Sequence, residues 1–100
     1  MPEFRQAMFE GHLDTEFQVM EDAKVICTLR LAELNAQTRT PKQETFSLLF
    51  LGPLDVFLGQ GTRRVRHNAL GEFEIFLVPI GKGNAGFQFE AVFNLLLESS

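Results

Sequence analysis

Three arginines and a histidine fall within five residues at Arg63, Arg64, Arg66 and His67, and two carboxylates, Glu72 and Glu74, follow the turn-like Asn68-Ala69-Leu70-Gly71. Clustered guanidinium groups are the chemistry of phosphate recognition. The same spacing also describes a β-hairpin whose charges face one another across the two arms. With Val65 set opposite Phe73, Arg66 stands opposite Glu72 and Arg64 opposite Glu74, giving one apolar row and one row of paired charges. The neighbouring register would put Arg66 against Phe73 and Val65 against Glu74. Cross-strand pairs each contribute roughly 0.2 to 1 kcal/mol, so the first register is preferred.

That reading accounts for two of the three arginines. Arg63 remains as a candidate polar contact, on the Phe73/Ile75 side, either as a rim residue that extends its charge to water or at a bulge near Gly61. His67 falls at the turn, where an imidazole is expected to be solvated. No second histidine, cysteine or carboxylate sits at ligand spacing from it, so no metal site is expected.

Other reactive side chains lack partners. Cys27 lies inside the apolar run Val25-Ile26-Cys27-Thr28-Leu29 and is expected as inert core, since a lone thiol forms no internal disulfide. Ser47 falls in a strand, Ser99 and Ser100 form a tail, and His12 follows a helix stop. Nucleophilic catalysis needs a base and an orienting group beside the nucleophile. No G-x-S-x-G, phosphate-binding loop, C-x-x-C or H-E-x-x-H pattern occurs, and Gly81-x-Gly83 lacks the following helix that phosphate binding uses. The expectation is a non-enzyme with no catalytic residue, no cofactor and no metal.

The formal net charge of -4 argues against a nucleic-acid surface, which depends on clustered positive charge. All eleven aromatic residues are Phe, which points to core packing rather than base stacking. Residues 1–100 suit a single domain with one core. No basic segment followed by a long apolar run begins the chain, and no run approaches the roughly 20 residues of a spanning helix, so a soluble cytoplasmic protein without membrane contact is expected.

These residues must be positioned by a mainly β framework. The first ten residues predict a short helix, with Pro2 and Glu3 in the first turn, Phe4, Ala7 and Met8 on one face, and Gly11 as a left-handed stop. From Phe17 onward the period is two. Strands are predicted at Phe17 to Met20, Val25 to Ala32, Glu44 to Leu51, Thr62 to His67, Glu72 to Ile80 and Gly86 to about Leu97. Asn35 to Lys42 reads as a loop or hairpin end, Gly52-Pro53 ends the third strand, and Leu54 to Leu58 is apolar enough to lie on the body of the protein. Short connections make the strands antiparallel, mostly a meander. A six-stranded antiparallel small barrel or strongly rolled sheet with one short N-terminal helix is the first choice, and a β-sandwich the second.

Some strands are apolar on both faces. Leu49, Leu51, Phe76, Val78 and Leu96 form a second patch outside the barrel, which the helix and the Leu54 to Leu58 loop must cover unless it is a contact with a protein partner or a second copy, as in a homodimer.

Phe46-Ser47-Leu48-Leu49-Phe50-x-Gly52-Pro53, Gln60-Gly61-Thr62, Leu70-Gly71, Phe76-Leu77-Val78-Pro79-Ile80-Gly81 and Phe89-Glu90-Ala91-Val92-Phe93-Asn94 resemble a family of small bacterial proteins consisting of one uncharacterised domain. The likeness covers residues 2 to 95. It implies a bacterial source, a compact β domain with one N-terminal helix, and an association with phage-tail-like collar proteins, and it carries no catalytic residues. Members often have Tyr where this chain has Phe89. The expected function is a non-enzymatic interaction or assembly module; the alternatives are a small barrel that binds an apolar ligand among its phenylalanines, and an enzyme without a recognised motif.

Overall fold

Period-two patterning becomes six antiparallel strands in the computed structural model, which describes residues 6–40, 43–56, 58–84 and 86–96. A helix, α1 (Gln6–Glu10), precedes β1 (Glu16–Glu21), β2 (Lys24–Arg39), β3 (Gln43–Gly52), β4 (Gly61–His67), β5 (Gly71–Gly83) and β6 (Gly86–Leu96). The strands close in the order β1-β2-β3-β6-β5-β4, so the structure is a barrel and not a sandwich. Closure does not follow a simple meander. Two three-stranded meanders, β1-β2-β3 and β4-β5-β6, are joined by β3 to β6 and by β1 to β4. The barrel is drawn out, with extents of 46 × 29 × 23 Å.

Alternation sets the inner face. Phe17 and Val19 of β1, Cys27, Leu29 and Leu31 of β2, Phe46, Leu48 and Phe50 of β3, Val65 of β4, Phe73, Ile75 and Leu77 of β5, and Phe89 and Ala91 of β6 are all buried. Each large apolar side chain so placed contributes about 1.5 to 3 kcal/mol. A bulge between Val19 and Met20 breaks the alternation, so Met20 is buried beside Val19 and its partner Val25 is left exposed.

One expected boundary differs in part: of the alternatives for Asn35 to Lys42 the hairpin end holds and the loop does not, because β2 continues through Ala36, opposite Phe46, to Arg39, opposite Glu44, while Pro41 and Lys42 lie outside the described residues. That stretch is polar on both faces and shows no period of its own; the ladder with β3 supplies its order. The helix ends at Glu10, directly before Gly11 as expected, but the left-handed residue is not Gly11: Asp14 has a positive φ, 66°, and its N–H donates to the Leu31 carbonyl at 2.7 Å. Of the residues proposed for the helix face, Pro2, Glu3 and Phe4 lie outside the described residues, Ala7 is exposed and Met8 is partly buried. The buried positions of α1 are Gln6 and Phe9.

The barrel is uneven where β5 and β6 meet. β5 pairs with β4 from Gly71 to Leu77 and with β6 only from Val78 onward, so β5 and β6 part beyond the Val78–Glu90 pair. The Phe9 ring, fully buried, packs among the rings of four strands, 5.7 Å from Phe93, 6.1 Å from Phe46, 6.1 Å from Phe73 and 6.4 Å from Phe17. Glu44, buried inside the same end, accepts the Gln6 N–H at 2.8 Å and so satisfies one of the free donors of the first helical turn.

Candidate functional site

The outward face of β3, β6 and β5 carries the apolar surplus. Register aligns Glu33, Leu49, Glu90 and Val78 in one row, and Arg30, Leu51, Gln88 and Gly81 in the next. Leu49, Leu51 and Val78 are half-buried, while Phe76 is 50% and Val92 57% exposed. Leu96 pairs through its backbone with Gln43, and its side chain lies outside the described residues. The helix does not cover this face, because Phe9 packs on the inner rings; Leu58 and Val56 of the loop also join the core, leaving Leu54 exposed. Glu90 stands between Leu49 and Val78, so the patch is apolar with a carboxylate at its centre. Val92 and Ile80, each at least half exposed, extend it beyond the five residues singled out from sequence.

Beside this face, a shallow cleft of about 240 Å³ is lined by Glu16, Thr28, Arg30, Leu51, Gly52 and Pro53. Arg30 is ion-paired with Asp14 at 2.9 Å.

The charged hairpin has the expected register, with Val65 opposite Phe73, Arg66 opposite Glu72 and Arg64 opposite Glu74. Its charges are matched in position but not in contact: among the described residues no ion pair joins these arginines to these glutamates. β4 also pairs with β1, where Gln18 faces Arg66, and Gln18 Oε1 accepts from Arg66 Nε at 3.1 Å and Nη2 at 2.8 Å. The three arginines do not converge, since Arg64 and Arg66 lie on the outer face and Arg63 on the inner one.

His67 is not a solvated turn residue. It is buried, its Nδ1 accepts the N–H groups of Ala69 at 3.0 Å and Leu70 at 3.2 Å, and its Nε2 lies 2.9 Å from Thr15 Oγ1. An acceptor Nδ1 assigns the ring proton to Nε2, which donates to Thr15; Thr15 Oγ1 in turn donates to the His12 carbonyl at 2.6 Å. Burial holds the His67 pKa below its ordinary value, and His12, whose ring centroid is 4.7 Å away, adds to the effect. Both nitrogens are committed to fastening the β4–β5 turn to the segment after α1. No sequence signal marked this role, because Thr15 is 52 residues distant.

Arg63 lies opposite Ile75 and is half-buried, as its inward position implies. Its Nη2 donates to the Gly59 carbonyl at 2.9 Å, and its buried Nε has no partner. Cys27 is buried; burial raises its thiol pKa, Arg63 opposes the rise and Asp55 adds to it. A thiol held protonated in this way is a poor nucleophile. No group of three or more His, Cys, Asp or Glu able to hold a metal occurs among the described residues. No helix among them is long and apolar enough to cross a membrane.

The model of a family described as a domain of unknown function, DUF6916, matches residues 4–93. No curated protein and no solved structure matches the chain.

Proposed function

The chain belongs to the DUF6916 family, a domain of unknown function, and we propose that it is a non-enzymatic interaction or assembly module that meets a protein partner through the outer face of β3, β6 and β5. The observation that carries this reading is the exposure of Phe76 and Val92, 50% and 57%, beside Leu49, Leu51 and Val78. Monomers rarely expose large contiguous apolar patches, and removing such side chains from water contributes about 25 cal/mol per Å². Support for a scaffold role also comes from the reactive groups: the thiol of Cys27 is disfavoured as thiolate, and His67 spends both nitrogens on structure. The barrel interior is filled by its own phenylalanines, which gives an apolar-ligand reading no comparable support. The sequence resemblance extends the proposal to assembly within a bacterial phage-tail-like system, with the chain acting in the cytoplasm.

Native mass spectrometry of the protein purified from its own host tests the proposal. A protein partner or second copy is expected with the wild type and lost in Phe76→Asp/Val92→Asp. A strict monomer, with nothing co-purifying and no effect of the double substitution, would overturn it.

A further inference from the structure

We infer that His67, Thr15 and His12 form an acid-released latch at one end of the barrel. With His67 neutral, the latch fastens the β4–β5 turn, residues 68–70, to the segment between α1 and β1; with His67 protonated, turn and segment part while the ladders stay paired. None of the outer-face residues takes part, so the inference is independent of the proposed function.

The hydrogen bonds of the latch run in one direction. The N–H groups of Ala69 and Leu70 donate to His67 Nδ1 at 3.0 and 3.2 Å, Nε2–H donates to Thr15 Oγ1 at 2.9 Å, and Thr15 Oγ1 donates to the His12 carbonyl at 2.6 Å. The first two bonds require a lone pair on Nδ1. Protonation puts a hydrogen there, so three N–H groups point at one another with no acceptor among them. The Phe17 ring, fully buried and 4.5 Å from the imidazole, offers no oxygen or nitrogen in its place. Buried donors without an acceptor are strongly unfavourable, and the charged ring must leave.

The charges around this end do not hold an imidazolium. His12, its ring centroid 4.7 Å away, is the titratable group that acts on His67 among the described residues, and two charged imidazoles repel. Glu10 of α1 accepts from Gln6 Nε2, Asp14 is ion-paired with Arg30 of β2, and Arg66 of β4 donates to Gln18 of β1. Glu16 of β1 and Glu72 of β5 are exposed, opposite Arg30 and Arg66, and Glu44 of β3 accepts the Gln6 N–H. Burial and His12 both act against the charged form of His67.

The fold also gives the turn room to move. His67 ends β4, and its pair with Gly71, at φ 82°, is the last of the β4–β5 ladder. The segment on the other side keeps its own tie to β2, where Asp14 N–H donates to the Leu31 carbonyl and Leu31 N–H to the Thr15 carbonyl. Release therefore frees the turn without unravelling β1. In the released state His67 regains its ordinary pKa of about 6.5, above the value it has when latched, so opening increases as pH falls below about 6.5. It grows by at most about tenfold per pH unit and levels off below the latched value.

Amide hydrogen exchange of the full chain, expressed as protection relative to an unstructured chain at the same pH, tests the latch. From about pH 7.5 to about pH 5, protection at Ala69 and Leu70 should fall at least about fivefold, while amides of the β3–β6 ladder change less than about twofold. In the same series, imidazole nitrogen NMR should show Nδ1 unprotonated at neutral pH. His67→Asn keeps an acceptor oxygen near the Nδ1 position and does not titrate, so its turn amides should stay protected at both pH values. His12→Gln removes the like charge and should lessen the pH response. Constant protection at Ala69 and Leu70, a fall shared equally by the β3–β6 amides, or a proton on Nδ1 at neutral pH would each overturn the inference without any variant. So would the same fall in His67→Asn, or an undiminished one in His12→Gln.

Discussion

Replacing Phe9 with alanine removes the ring that joins the helix to four strands at once. The side chain is fully buried, and its four aromatic neighbours among the described residues, Phe17, Phe46, Phe73 and Phe93, each lie in a different strand. Neighbours held by backbone pairing cannot collapse into the space, so the cavity persists and the cost lies in the range of about 3 to 5 kcal/mol found for Phe→Ala in cores. Domains of this size are stable by about 5 to 15 kcal/mol, so the substitution removes a large share. At about 4 to 8 °C per kcal/mol, the melting temperature should fall by about 12 °C or more. Phe9→Leu, which keeps most of the volume, should cost less than about 1.5 kcal/mol. Urea unfolding of the wild type and both variants, followed by circular dichroism and with a shared slope, measures these differences. A loss below about 1 kcal/mol for Phe9→Ala would refute the reasoning, because it would show that α1 is no part of the cooperative core.

Three other outcomes follow from named contacts. His67 has a folded-state pKa below its unfolded value of about 6.5, so its contribution is complete above that pH and is lost as pH falls towards the folded value; unfolding midpoints should drop below about pH 6.5 in the wild type, and this slope should flatten in His67→Gln. Gly86 has φ 131° and a Cβ there would run into the Gly52 carbonyl oxygen, so Gly86→Ala should cost about 2 kcal/mol or more, whereas Gly61→Ala, with open space around it, should stay within about 1 kcal/mol. A double-mutant cycle on Arg64 and Glu74, which stand opposite without an ion pair, should give a coupling of no more than about 0.5 kcal/mol in thermal unfolding; a coupling above about 1 kcal/mol would show that the pair forms.

Much of this framework was legible in the chain. Alternation of Phe87, Phe89, Ala91 and Phe93 with Gln88 and Glu90, and of Val65 with Arg64 and Arg66, fixes which face is buried, because a one-residue slip exposes every apolar side chain. The apolar outer positions Leu49, Leu51, Phe76 and Val78 were equally visible, as was the inward placing of Arg63. The end of β2 was not, since Asn35 to Arg39 carries no apolar row and takes its order from β3.

The sequence alone therefore determined local periodicity, hairpin register and the excess of apolar surface, all of which depend on residues close along the chain. Tertiary structure decided the rest: that β3 meets β6 and β1 meets β4, that Gln18 takes Arg66 from Glu72, that Thr15 and the turn amides claim His67, and that the Phe9 ring packs among rings of four strands. These are contacts between segments far apart in the chain, and no local pattern encodes which distant partner is nearest once the sheet curls.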